Sequence, residues 1–279
     1  MAYEMTVRRK LAIATWGPPS EGNIYGKLTL DATEALAYLE HLRATTGEKV
    51  SMTHLVGKAV GMALKKAPDL NGRILFGRYV PHTSVDIAFL VTLDDGKNLA
   101  KAKVCNIDEK PVNDIAKELR ELAERLRTGK DDAFKKSMGP VKMMPTWLLR
   151  PVLYYTGFLA SALGWSIPAL GVEPFPFGGA IITSVGMMGL DEGFAPPTPF
   201  ARVPLYVLIG AVRDMPAAID GQVVVRKQVV ISATIDHRFL DGYQGAVLAK
   251  AVRDVFENPW KLSGMDGRPQ GSIASEVAK

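Results

Sequence analysis

Cysteine is almost missing from this 279-residue sequence. Cys105 stands alone, which excludes an intrachain disulfide and leaves a chain of this length to be held by its hydrophobic core. Cys105 has no histidine or basic cluster beside it and reads as inert. A reducing compartment suits such a chain. The opening MAYEMTVRRK carries charge with no apolar segment after it, so no secretory signal is read and a cytoplasmic location is expected. Histidine is scarce at four residues, and His41, His54 and His82 are isolated, with no metal-ligand spacing. No basic run is interleaved with aromatics and no RNP-like motif occurs, which argues against nucleic acid. Gly-x-Ser-x-Gly is absent, so a hydrolase elbow has no support. Neither internal repeats nor low-complexity linkers are found. The net charge of +5 is mild and reads first as solubility, second as attraction of an anionic ligand.

What is present is a chain of interspersed strands and helices. Residues 24–30 alternate as a half-buried strand does. Asp31 with Glu34 three residues on resembles a capping box, and Leu36, Leu39 and Leu42 then mark a helix ending near Gly47. Ser51 or Thr53 starts a second helix that Pro68 stops. Strand-like runs follow at Ile74–Val80 and Val85–Leu93, with Asp94-Asp95-Gly96 as a turn. Pro111 opens a third helix, apolar at Val112, Ile115, Ala116, Leu119, Ala123 and Leu126, with Gly129 at its end. Residues 179–185, 205–212 and 229–235 read as buried strands, and Asp220-Gly221 suits a hairpin turn. A last helix runs from about Asp241 to Glu257, and the polar tail from Ser263 is expected to fray. This order implies an α/β layered fold with a mixed sheet and flanking helices.

The stretch Thr234-Ile235-Asp236-His237-Arg238-Phe239-Leu240-Asp241-Gly242 lies where a strand hands over to a helix. Such a junction exposes side chains at an edge while holding them firmly. Asp241 can accept backbone N–H bonds at the helix start, and Gly242 permits a close approach or unusual dihedrals. Histidine's unperturbed pKa lies near neutrality, so a residue of the type of His237 can take a proton from a thiol that is otherwise mostly protonated. By spacing alone, a histidine held by local hydrogen bonds remains an equal alternative.

His-x-x-x-Asp-Gly before a helix ending Glu257-Asn258-Pro259 resembles the signature of the catalytic domains of 2-oxo acid dehydrogenase E2 components. These are dihydrolipoamide acyltransferases, members of the chloramphenicol acetyltransferase-like superfamily. Further motifs follow in the family's order. Arg9-Lys10-Leu11-Ala12-Ile13-Ala14 is similar to its early motif, and Lys58-Ala59-Val60 through Ala67-Pro68-Asp69-Leu70-Asn71 to its Lys-Ala…Pro-x-Leu-Asn helix. Val85-Asp86-Ile87-Ala88 comes next. Gly178-Gly179-Ala180 through Gly186 is similar to its Gly-Gly strand. The resemblance covers most of residues 5–260 and implies a chloramphenicol acetyltransferase-like fold. It also implies acyl transfer between a thioester and a thiol, with coenzyme A or acyl-CoA as substrate, dihydrolipoamide as the other thiol, and no metal. His237 would be the general base. A hydroxyl would donate to the tetrahedral oxyanion, a contribution on the order of 3 kcal/mol. Counting back from Gly186 puts that role on Thr183, where the family usually has Ser. Ser184 adjoins it, and only one of two strand neighbours can face the site. Asp241 would pair with Arg9 and, with Gly242, support the site. The site would lie between subunits of a homotrimer, or of a higher multiple of trimers, with dehydrogenase-complex components as possible partners.

The sequence departs from the family in several places. No lipoyl or peripheral-subunit-binding segment is read, so a lipoyl group is expected in trans if at all. Three lysines replace a mostly apolar run in residues 96–104, and they are read as a solvated strand with lysines outward. An apolar insert occupies about residues 145–177, after which the core continues to about residue 262. The uncharged run from Pro151 to Ile167 falls short of the roughly 20 residues a spanning helix needs, and Gly interrupts it. Packing against the body or a neighbouring subunit is the first reading, and peripheral membrane contact through Trp147, Tyr154, Tyr155 and Trp165 the second. Asp236, where peptide-condensation relatives carry a second histidine, counts against that branch. A non-catalytic scaffold and an acyl-CoA-dependent transferase with a different small acceptor are the alternatives to lipoyl transfer.

Overall fold

A computed structural model describes Thr15 and residues 22–93 and 98–269. Eight strands are seen in it: β1 (Asn23–Asp31), β2 (Gly72–Leu75), β3 (Arg78–Pro81), β4 (Ile87–Leu93), β5 (Asn98–Val104), β6 (Ala180–Ser184), β7 (Leu205–Ile219) and β8 (Gln222–Asp236). Six form one sheet in the order β1-β8-β7-β6-β4-β5, while β2 and β3 make a separate hairpin. β6 runs parallel to β4 and β7, and the other pairs are antiparallel, so the sheet is mixed. The helices are α1 (Thr33–Thr46), α2 (Met52–Lys66), α3 (Val112–Arg127), α4 (Asp132–Met143), α5 (Thr146–Gly157) and α6 (Gly242–Glu257).

The main core lies between one sheet face and α1, α2, α3 and α6. Leu39, Leu55, Leu64, Ile115 and Phe256 from the helices meet Ile87, Ile182, Leu205 and Ile231 from the strands. A smaller cluster of Ala88, Ile181, Ala201, Val203 and Tyr206 covers the opposite face. The alternation of β6 and β7 residues between the two clusters is the two-residue period of a strand buried on both sides.

Several expectations are corrected. Asp31 does not cap α1: the cap position is Ala32, and the Asp31 carboxylate accepts from the Thr33 amide at 2.8 Å. Glu34 turns away and accepts from the Trp260 indole at 2.9 Å, so no capping box forms. Ser51 does cap α2, with His54 completing the reciprocal pair. The run Ile74–Val80 is two strands, reversed at Phe76 and Gly77, both at positive φ. β7 and β8 are far longer than expected, and they turn at Asp220 and Gly221, where the hairpin turn was expected. The lysines of β5 do not simply face solvent: Lys101 and Lys103 pair with Glu173 at 2.6 and 3.2 Å, and while Lys101 stays partly exposed the Lys103 side chain is only 11% exposed. At the tail, Ser263 bonds the Tyr38 hydroxyl at 2.7 Å and Met265 packs on the core, so the first residues after α6 are held. The Asp94-Asp95-Gly96 turn lies outside the described residues.

The insert packs on the body. α5 presses Gly157 onto Phe200, where an added Cβ would come within 2.5 Å of the Phe200 carbonyl oxygen. The Arg73 guanidinium of β2 donates to the Ala162 carbonyl at 2.7 Å and stacks 4.5 Å above the Phe175 ring. Trp147, Tyr154, Tyr155 and Trp165 stay exposed. No helix among the described residues is long and apolar enough to cross a membrane.

Candidate active site

β8 ends at Asp236 and the chain turns through His237, Arg238 and Phe239 before α6 begins. The turn is built from local bonds. The Phe239 amide donates to the Asp236 carbonyl at 3.0 Å, and the His237 amide to Gly22 at 3.2 Å. Phe239 and Leu240 are buried in the main core and pin the turn from below. His237 itself is exposed. Its Nδ1 lies 2.8 Å from the Leu240 carbonyl. A carbonyl can only accept, so this bond requires the proton on Nδ1, and in the neutral ring the Nε2 lone pair is then free and faces outward.

Asp241 is the N-cap of α6. Its carboxylate accepts from the Tyr243 amide at 2.8 Å, and the Asp241 amide donates to the Gln244 side-chain oxygen at 3.1 Å. The aspartate therefore fixes the distance from His237 to the helix. Arg9, its expected partner, lies outside the described residues. Gly242 is the first helical residue and needs neither a positive φ nor close quarters: an added Cβ would meet nothing within 4 Å. Among the described residues nothing approaches it closely. Arg238 grips Asp236 through Nε at 2.9 and 3.0 Å and an outer nitrogen at 2.5 Å, locking the strand end.

Thr183 and Ser184 end β6. Ala180 and Ile182 belong to the main core and Ile181 to the opposite cluster, so Thr183 lies on the face away from the helices and Ser184 towards them. Gly178 and Gly179 set this strand in place. Gly178 has φ +65, and a Cβ there would sit 2.2 Å from the Asp86 carbonyl oxygen. At Gly179 a Cβ would sit 2.3 Å from the buried Asn71 Oδ1. Asn71 and Lys58, from the helix motif, are architectural. The Asn71 amide donates to Ser84 at 2.9 Å, and the Lys58 ammonium to the carbonyls of Asp108 and Lys110 at 2.6 and 2.8 Å.

One chain does not bring His237 and Thr183 together. Thr183 is level with Leu208 on β7, and Leu208 with Ser232 on β8. His237 therefore lies five residues further along β8 and two strand spacings across. At about 3.3 Å per residue and 4.8 Å per strand, that is roughly 19 Å. The two candidate residues lie towards opposite ends of the strands. Sequence reasoning missed the Leu240 carbonyl, which leaves no side-chain signal. It also missed Tyr79, whose ring meets Phe239 edge-on with centroids 6.1 Å apart.

The fold, not the site, can be set beside that of relatives. Residues 23–134 and 174–263 match the family of 2-oxoacid dehydrogenases acyltransferase (catalytic domain), and residues 135–173, containing most of α4, all of α5 and most of the insert, fall between the matched stretches. The succinyltransferase component of the 2-oxoglutarate dehydrogenase complex from Haemophilus influenzae is 26% identical over 231 residues, covering 79% of this chain and 46% of that protein. The chain thus spans about half the length of the curated relatives it matches. Among solved structures, a probable dihydrolipoamide acetyltransferase from Listeria monocytogenes superposes with a TM-score of 0.67 at 20% identity, covering 96% of this chain and 97% of that one. The cubic core of a pyruvate dehydrogenase complex gives 0.62 at 20% identity, covering 92% and 87%. The expected acyltransferase fold is therefore present, and the chain belongs to the catalytic-domain family of the 2-oxoacid dehydrogenase acyltransferases.

Proposed function

We propose that the protein transfers acyl groups between coenzyme A and a dihydrolipoyl thiol, with His237 as general base. The observation that carries this reading is the His237 Nδ1–H···O=C bond to Leu240. It leaves Nε2 as an outward-facing base on a rigid turn, which is what proton removal from a thiol requires. In the Azotobacter vinelandii dihydrolipoamide acetyltransferase, a serine, a histidine and an asparagine figure in the catalytic mechanism, the last two four residues apart. His237 and Asp241 have the same spacing.

The thiolate formed when Nε2 takes the thiol proton attacks the acyl thioester; collapse of the tetrahedral adduct breaks the original C–S bond, and the expelled thiolate takes the proton back from the imidazolium. The tetrahedral oxyanion is held by the Thr183 hydroxyl of a neighbouring copy, because Thr183 of the same chain is too distant. This asks for a ring of copies, and the smallest consistent with the family's assembled cores is a trimer. Ser184, turned towards the helices, is the weaker choice for the oxyanion. Coenzyme A and the dihydrolipoyl group are substrates here, and none of the proposed steps needs a metal. A reducing compartment such as the cytoplasm suits a reaction between free thiols.

The test is transfer from acetyl-CoA, succinyl-CoA and branched-chain acyl-CoAs to free dihydrolipoamide, with His237→Ala beside the parent. Turnover lost in the variant supports the reading. No turnover with any donor overturns lipoyl transfer.

A further inference from the structure

The β2–β3 hairpin stands apart from the main sheet. A two-stranded hairpin has little stability of its own in water, so its anchors to the body decide where it sits. One anchor is Tyr79. Its ring lies across Gly72, where an added Cβ would come within 2.6 Å of the ring carbons, and its hydroxyl donates to the Pro68 carbonyl. Held on two sides, the ring presents its edge to Phe239, at 6.1 Å between centroids and 77° between planes. Phe239 is the third residue of the His237 turn, and Leu240, whose carbonyl holds Nδ1, follows it. At the other end the hairpin is fastened to the insert. Phe76 meets Phe158 at 6.1 Å, and Arg73 donates to Ala162.

We propose that Tyr79 is a positioning residue for His237: through Phe239 its ring fixes the turn that aims Nε2, and the insert steadies the hairpin that carries it. The proposal rests on the reading of His237 as general base. Tyr79 touches no reacting atom in this account. It acts by keeping Phe239, and hence the Leu240 carbonyl, in one place. Misplacement of a reacting group by about 1 Å can cost on the order of a hundredfold in rate, so a partial loosening is expected to cost about tenfold.

The experiment compares Tyr79→Leu and Tyr79→Phe in the full chain. Tyr79→Leu removes the ring, while Tyr79→Phe keeps the ring and loses only the hydroxyl. Two readouts are taken: kcat and KM for acyl transfer, and the imidazole 15N signals of His237, assigned with His237→Ala. Tyr79→Leu is expected to lower kcat about tenfold at unchanged KM and to remove the fixed Nδ1–H tautomer signature. Tyr79→Phe is expected to keep both. Phe239→Leu, approaching the contact from its other side, is expected to lower kcat similarly, with no further loss when combined with Tyr79→Leu. The proposal is overturned if Tyr79→Leu leaves the imidazole signals and kcat at parent values, if Tyr79→Phe loses as much as Tyr79→Leu, or if the Tyr79→Leu and Phe239→Leu losses simply add. Should the parent transfer no acyl group, the functional reading fails while the 15N comparison still decides whether Tyr79 holds the ring.

Discussion

Two inactive variants should restore one another. His237→Ala removes the base and is expected to lower turnover by about 10²- to 10⁴-fold. Thr183→Val removes the hydroxyl at nearly constant shape and is expected to cost about 10²- to 10³-fold. In one chain the two residues are separated by roughly 19 Å, from strand spacings and rise, while His237 and Thr183 side chains can bridge only a fraction of that. If each site takes its histidine from one copy and its threonine from the next, a mixed ring contains competent sites. These are the junctions where a Thr183→Val chain supplies His237 and a His237→Ala chain supplies Thr183. In a closed ring of head-to-tail contacts with random mixing of equal amounts, about a quarter of the junctions qualify. The assay is coexpression of the two variants with different tags, tandem purification of mixed assemblies, and acyl transfer to dihydrolipoamide. Tandem purification removes the single-variant rings, so in a trimer each remaining assembly has one competent junction of three, and the expected activity is about a third of the parent's per chain, far above either variant alone. Mixed assemblies no more active than the separate variants would refute the division of the site between copies, and with it the role given to Thr183.

Two further perturbations test the frame that carries the half-sites. Gly178→Ala forces a side chain into φ +65 against the Asp86 carbonyl, about 1–2 kcal/mol for the left-handed backbone and about 1–3 for the clash. The thermal denaturation midpoint should fall by roughly 4–20 °C at about 2–4 °C per kcal/mol. Gly47→Ala has φ +71 but nothing within 4 Å and should show only the first part, so equal shifts in the two variants would disprove the close-approach argument. His54 and His82 are held at about 4 rather than 6.5, mainly by burial, with Arg43 and Arg73 respectively adding to it. The unfolded chain therefore takes up these protons first, and stability is lost as pH falls from about 6.5 towards 4, on the order of 2 kcal/mol for each half-buried ring. Chemical denaturation across that range should show the decline, and His82→Gln should flatten it; an unchanged slope would remove His82 from the account.

Much of this fold was legible because local and global signals agree. The third and last helices carry apolar residues at helical spacing, and each packs that face on the sheet. Asp220-Gly221 turned where a hairpin turn residue pair should. The failures have a common cause in tertiary contact. Asp31 and Glu34 have capping spacing, but Trp260, some 226 positions away in sequence, takes the glutamate. The lysines of β5 alternate like a solvated strand, but Glu173 from the insert covers them. Burial pushes the Glu173 carboxyl up, yet Lys101 and Lys103 outweigh it and hold it below the usual range. The run Ile74–Val80 hides its turn because Phe76 adopts a positive φ that its residue type does not advertise. At the candidate site the side chains were legible and the geometry was not. His237, Asp241 and Thr183 stand in the sequence pattern, but the carbonyl that sets the imidazole tautomer belongs to the backbone of Leu240.

Gly242 joins the two halves of the argument. As the first residue of α6 it makes that helix less stable than alanine would, because glycine loses more backbone freedom on folding. Nothing among the described residues asks for it: its φ is not positive and an added Cβ would meet nothing within 4 Å. The open space adjoins the exposed His237 turn, and the Arg9 segment, the expected partner of Asp241, lies outside the described residues. The two objects that must come there under the proposed reaction are a thiol substrate and the Thr183 face of a second copy. Both need a helix end free of side chains. Thr183 lies on the sheet face away from the helix layer, because the helix side is filled by the chain's own core; on that face the smaller cluster covers Ile181 and Tyr206, so under the proposed reading a second copy meets Thr183 at the end of β6, past that cluster.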